Sequence, residues 1–235
     1  MLDIKNRETL EIYVLGDDFK FYQNLKYLPL TSYPSNNQSA LIIYCLGGKA
    51  KITVHEDVHW IQPEELIILL PGQFVSFSEP SEDFSTVTMV ISTSLFSDAL
   101  SGVPRFSPHF FFYMRKNFST PLYDEECQRF IHFCNILIFR INLPRNLFRR
   151  ESIMQLLRVF YWDIYVSYKR NPKAAELVKY TRKEKLLFDF FCLVIEFHTV
   201  SRDVAFYAKK MCVSAKHLTM VITDMSGRSA KDWII

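Results

Sequence analysis

The sequence predicts an α+β fold: an antiparallel β-barrel or sandwich over residues 1–100, then an all-α remainder over residues 101–235. Three observations predict it. The hydrophobic period changes from two to about 3.6 near Pro108. Turn signals at Gly47-Gly48, Glu56-Asp57, Pro63-Glu64 and Pro71-Gly72 punctuate the first part at near-regular spacing. The charge balance also reverses: residues 1–100 hold 6 Lys+Arg against 13 Asp+Glu, and residues 101–235 hold 22 against 12. A basic second half suits a polyanionic partner.

Among the early runs, "KAKITV" alternates cleanly, with Ala50, Ile52 and Val54 on one face and Lys49, Lys51 and Thr53 on the other. "SALIIYCL", "HWIQ", "ELIILL", "QFVSFS" and "STVTMVIS" complete the strand-like set. In "RFIHFCNILIFRI", Phe130, Cys134, Leu137, Ile138 and Ile141 follow helical spacing. In "ESIMQLLRVFYWDIYVSY", Ile153, Leu156, Leu157, Phe160 and Ile164 do the same, and Val159, Tyr161, Trp162, Tyr165 and Val166 make that helix apolar nearly all round. A helix of that kind needs burial on most sides, which predicts a homodimer made through region 101–180, the alternative being cover by the neighbouring helices at 125–143 and 183–198 within one chain. "KRNPKAAE" over 169–176 reads as a linker.

The block 181–235 opens with a helix in "KEKLLFDFFCLVIEFH". A short helix follows, "VAFYAKKM", with Ser201 as its expected N-cap and Val204, Ala205, Ala208 and Met211 on one face. "CVS" makes a turn and Ser214 caps the next helix, whose buried stripe is Leu218, Val221, Ile222 and Met225. Lys216, Met220 and Thr223 point away from that stripe, with Thr219 and His217 on its flanks. Gly227 is a C-terminal stop, and Ser229 with Asp232 forms a capping box. This is helix-turn-helix grammar, in which the outer polar face enters the major groove. Lys216, Thr219, Met220 and Thr223 are the expected base-facing residues, with Ser214, His217 and Arg228 as phosphate contacts.

Ala208, Ser214 and Leu218, followed by "MSGRSAKDWI", resemble the first helix-turn-helix of the AraC family of bacterial transcription regulators, in its Bacteroidetes-type wording. "LGGKAKITVHEDVHWIQPEELIILLPGQFVSFSEPSEDF" is similar to the family's cupin-like sensor barrel. The resemblance implies three regions: a cupin-like sensor over 1–100, a helical linker and dimerisation region over 101–180, and a first helix-turn-helix over 181–235. It implies a cytoplasmic regulator that binds promoter DNA, forms a homodimer and answers to a small-molecule or protein effector. It also implies that a second helix-turn-helix is missing, so that Trp233, Ile234 and Ile235 have nothing to pack on. Met220 stands where the family often has Arg.

Catalysis is not expected. A metal-dependent cupin enzyme or small-molecule binding module is the alternative, but His55 and His59 are four apart across a turn, unlike the family's metal-binding pair, and read as surface histidines. His109, His132 and His198 read as core or boundary residues, and Cys127 with Cys134 as core. Glu64-Glu65 looks like a turn. Five scattered cysteines without CxxC fit free thiols in a reducing compartment. No cofactor, metal or membrane partner is expected: no apolar run reaches spanning length, and the start lacks the apolar core of a signal peptide.

Overall fold

The computed structural model describes residues 11–100, 108–144, 147–170 and 181–234. Its first part is a pair of antiparallel sheets. β1 (Glu11–Leu15), β2 (Phe19–Leu25), β4 (Ala40–Gly47), β7 (Glu65–Leu69), β9 (Ser85–Ile91) and β10 (Ser119–Pro121) form the larger, in the order β1-β2-β9-β4-β7-β10. β3 (Ser35–Asn37), β5 (Ala50–Val54), β6 (Asp57–Ile61) and β8 (Gln73–Ser78) form the smaller, in the order β3-β8-β5-β6. The expected sheet-rich first part is present as two facing sheets; a closed barrel is not seen among the described residues.

The central strands β4, β7 and β9 of the larger sheet are buried on both faces, which explains their near-continuous apolar runs. Along β4 the period of two sends Leu41, Ile43 and Cys45 between the sheets, where Ile52, Phe77, Phe84 and Phe118 meet them. Ala40, Ile42 and Tyr44 point the other way, into the helical core. The smaller sheet is buried on one face only, so β5 alternates as expected: Ala50, Ile52 and Val54 are inside.

The helices are α1 (Thr93–Leu100), α2 (Pro108–Lys116), α3 (Asp124–Asn142), α4 (Arg149–Arg170), α5 (Arg182–Phe197), α6 (Val204–Lys210), α7 (Ala215–Ser226) and α8 (Ala230–Ile234). The linker expected over 169–176 falls largely outside the described residues. On α3 the expected stripe is buried at Phe130, Cys134, Leu137 and Ile141, with Ile138 partly so, and Cys127 is buried with them. On α4, Ile153, Leu157, Phe160 and Tyr161 are buried, and Phe160 stacks on Phe133 at 5.2 Å. Arg150 pins α4 to the sheet domain with 2.7 Å bonds to Asp18 beyond β1 and Asp98 of α1.

Several expectations need correction. His132 and His198 are exposed rather than core; the side chain of His109 lies outside the described residues. Trp162 and Tyr165 are partly covered within the chain, edge to face with each other at 5.8 Å and with Tyr165 meeting Phe110 at 5.1 Å. Ile234 is buried, and Trp233 packs on Phe191 at 4.9 Å while its indole N–H donates to Ser226 Oγ. These two residues do have partners, because α8 folds back onto α5 and α7.

Candidate nucleic-acid interface

Thr181 and Glu184 form a reciprocal capping box that starts α5. The N-cap of α6 is Asp203, not Ser201: its carboxylate accepts from the Ala205 N–H at 3.0 Å. The Ser201 carbonyl instead accepts from the Tyr207 hydroxyl at 2.7 Å. The buried face of α6 is therefore Tyr207 and Ala208, with Val204 and Met211 half-buried and Ala205 exposed. Tyr207 is the residue that periodicity missed. A tyrosine in a polar-looking stretch reads as surface, but here its ring is fully enclosed beside Phe190 and Phe206.

The turn runs Met211–Ser214, with Cys212 in the left-handed region at φ 54° and the Val213 N–H returning to the Ala208 carbonyl at 3.0 Å. Ser214 caps α7, accepting from the His217 N–H at 3.1 Å. Leu218, Val221 and Ile222 are buried as expected, and Gly227 ends the helix at φ 74°. The Ser229–Asp232 box is present.

The expected reading residues divide as follows. Lys216, His217, Met220 and Thr223 are exposed on α7, and Thr219 is half-exposed at its flank. The Ser214 hydroxyl accepts the capping bond and keeps its proton as a donor. Arg228 is half-buried, its guanidinium stacked on Trp233 at 5.7 Å, so it is tied into α8. Asp224, exposed on the same helix, is offset by Lys183 at 3.7 Å. Lys209, Lys210 and Lys231 add exposed charge beside the pair, and Lys210 lies 4.0 Å from the Phe197 ring centroid. The basic excess is not concentrated here. Residues 181–235 hold 9 Lys+Arg against 6 Asp+Glu, and residues 101–180 hold 13 against 6.

The sheet domain grips the far end of α7. Arg115 of α2 is buried and donates to the Pro71 carbonyl at 3.3 Å and to the Met225 carbonyl at 2.9 Å. Burial lowers its pKa to about 10, partly offset by Glu184. Its other terminal nitrogen lies 3.5 Å from His55 Nε2. Partial burial of the imidazole, with the Arg115 charge beside it, holds His55 below the usual histidine range. Gly72 sits against the end of α7 at φ 79°, where a Cβ would lie 2.7 Å from the Met225 carbonyl oxygen. Gln73, fully buried, accepts from the Leu70 N–H and donates to the Arg115 carbonyl. Lys116 completes the joint with a 3.3 Å ion pair to Glu184 of α5.

His55 is an exposed residue as expected, whereas His59 is half-buried. It pairs with Glu65 at 2.7 Å, and Ser119 donates to the same carboxylate. Glu65 is thus a buried strand residue and not the expected turn. Ser119 and Glu65 both meet His59 Nε2, which is not the relay of a nucleophilic triad. No group of three His, Cys, Asp or Glu side chains suited to a metal occurs among the described residues, and no helix among them is long and apolar enough to cross a membrane.

No family profile matches the chain. No characterised protein matches it by sequence. Among solved structures, apo ToxT from Vibrio cholerae strain SCE256 aligns over 96% of both chains at 9% identity and a TM-score of 0.40. Fatty acid-bound ToxT from the same strain aligns over 96% of this chain and 94% of its own, at 10% identity and a TM-score of 0.39. Bacillus subtilis oxalate decarboxylase aligns over 32% of this chain and 21% of its own, at 16% identity and a TM-score of 0.25. Likenesses of this strength carry no argument about function.

Proposed function

We propose that the chain is an effector-controlled transcription regulator of the AraC type that reads DNA with α7 and acts in the cytoplasm as a homodimer. The observation that carries this reading is the two-faced α7: Leu218, Val221 and Ile222 are buried, and Lys216, Met220 and Thr223 stand exposed on the opposite face. A helix capped at Ser214, set behind a tight turn and backed by α6, presents such a face to a major groove. Lys216 bonds guanine edges or phosphate, Met220 meets a thymine methyl, and Thr219 with Thr223 serves either base type. The hydroxyl of Ser214 and the imidazole of His217 contact phosphate. Arg228 contributes through its charge and its hold on Trp233.

Control runs through geometry rather than chemistry. α2 joins the sheet domain to α7 through Arg115 and to α5 through Lys116, so an effector that repositions α2 changes how α7 is presented. Selection of bound sequences from a random DNA pool tests the reading: an enriched motif supports it, and recovery of no motif at low salt overturns it.

A further inference from the structure

A cleft of about 130 Å³ opens where the outer face of the larger sheet meets α2, α3 and α4. It is smaller than the roughly 300–1,000 Å³ sites that take drug-sized ligands, so it suits a compact molecule. Leu66 and Ile68 of β7 line its floor, and Phe130, Phe133 and Phe160 line its walls. Phe160 stacks on Phe133 and lies 6.2 Å from Phe130, so the walls are close-packed aromatic surface.

The charges at the mouth are unequal. Arg129 is largely exposed and sits 3.9 Å from Glu126, one turn earlier on α3. Asp163 of α4, also lining the cleft, is exposed and forms no ion pair with any described residue. Among the described residues, Asp163 is therefore the carboxylate without an ion pair at a cleft with aromatic walls.

We propose that this cleft binds a small organic monocation, its ammonium group at Asp163 and its apolar body against Phe130, Phe133 and Phe160. The Asp163 carboxylate favours the cationic group, and the aromatic walls favour its apolar body. An anionic ligand meets Asp163 as a like charge and finds Arg129 already beside Glu126. The proposal rests on the effector-controlled reading and gives that effector a chemical class. Tyr113 and Met114 of α2 line the same cleft and directly precede Arg115 and Lys116, so a further wall belongs to the element that holds α7 and α5.

Isothermal titration calorimetry of the full chain, without DNA, tests it with phenethylamine, phenethyl alcohol and phenylacetate as probes. The expected order is amine tighter than alcohol by about tenfold, with phenylacetate weakest. Asp163→Asn removes the advantage of the amine. Thr120→Trp, at an exposed strand position lining the cleft, abolishes binding of all three without unfolding the chain. Absence of amine binding, equal binding of the three, tighter binding of phenylacetate, or indifference to either substitution overturns the proposal. Because no DNA is present, a failure here leaves the DNA-reading assignment standing, and a failure to read DNA leaves this result interpretable.

Discussion

Arg115 donates a 2.9 Å hydrogen bond to the carbonyl oxygen of Met225, a residue 110 positions away at the end of the helix proposed to read DNA. A cation at a helix C-terminus meets the negative end of the dipole and satisfies a carbonyl left without a partner in its own helix. Arg115→Met keeps the packed stem and removes the donors. The expected cost is about 2 kcal/mol, because the Pro71 and Met225 carbonyls lose their partner in a buried place. Calorimetry should show the single melting transition split into two. An unsplit transition at the wild-type temperature contradicts the role.

Gly72 tests the same joint from the other side. Alanine there meets a positive φ, and its Cβ would lie 2.7 Å from Met225 O and 2.8 Å from Asp224 O. The backbone term alone is about 1–2 kcal/mol. Gly72→Ala should therefore expose the end of α7 to hydrogen exchange while the strands stay protected. Gly16→Ala is the control: its φ is also positive, but nothing lies within 4 Å of the added Cβ, so α7 should be unaffected.

Acid should loosen the joint in two steps. His55 is held below the ordinary value of 6.5, so the unfolded chain binds its proton more readily, and the stability tied to neutral His55 is present above pH 6.5 and lost as pH falls below it. Arg115, Lys116, Glu184 and Asp57 are the charges that act on it. Burial pushes Glu184 up, but bonds from Thr181 and Lys116 outweigh it and hold the carboxyl below 4.5. Its contribution is present above pH 4.5 and lost below. Melting temperatures from pH 7.5 to 5.5 should fall less steeply for His55→Gln than for wild type. Identical slopes contradict the assignment.

The homodimer has a narrower basis than the sequence implied. Trp162 and Tyr165 are partly covered within the chain, and the apolar groups left open include Ile136 and Phe139 of α3, Val159 and Val166 of α4, and Leu147 and Phe148 just before it. Sedimentation velocity at micromolar concentration should show a dimer that Phe139→Glu with Val159→Glu converts to monomer at little cost in melting temperature. A clean wild-type monomer rules the dimer out.

What could be read in the sequence follows from range. α7 is legible but for Met225, which is half-buried where the stripe expects it inside, because its stripe, its Ser214 cap and its Gly227 stop are all encoded within thirteen neighbours. Asp203 was not singled out because Ser201 and Asp203 are both good caps, and only the fold decides which carbonyl Tyr207 takes. β2 is not marked by a clean alternation because Gln23 and Asn24 interrupt it, yet both are buried. The joint at Arg115 was invisible: its partners Pro71, His55 and Met225 lie 44, 60 and 110 residues away, and no local pattern marks them. Charge counting misled in detail, since most of the basic excess lies in residues 101–180 and not in 181–235.

The central claim is that the exposed face of α7 reads DNA, and fluorescence anisotropy on a motif selected from a random pool tests it most directly. With Lys216 and Arg228 as about two cationic phosphate contacts per protomer, the slope of log affinity against log salt should be near −2 for each bound protomer. Lys216→Ala and Thr223→Ala should each weaken binding by about fivefold to a hundredfold and relax preference at one base position. A folded Lys216→Ala, Met220→Ala, Thr223→Ala triple variant that binds the selected motif as tightly as wild type would contradict the account.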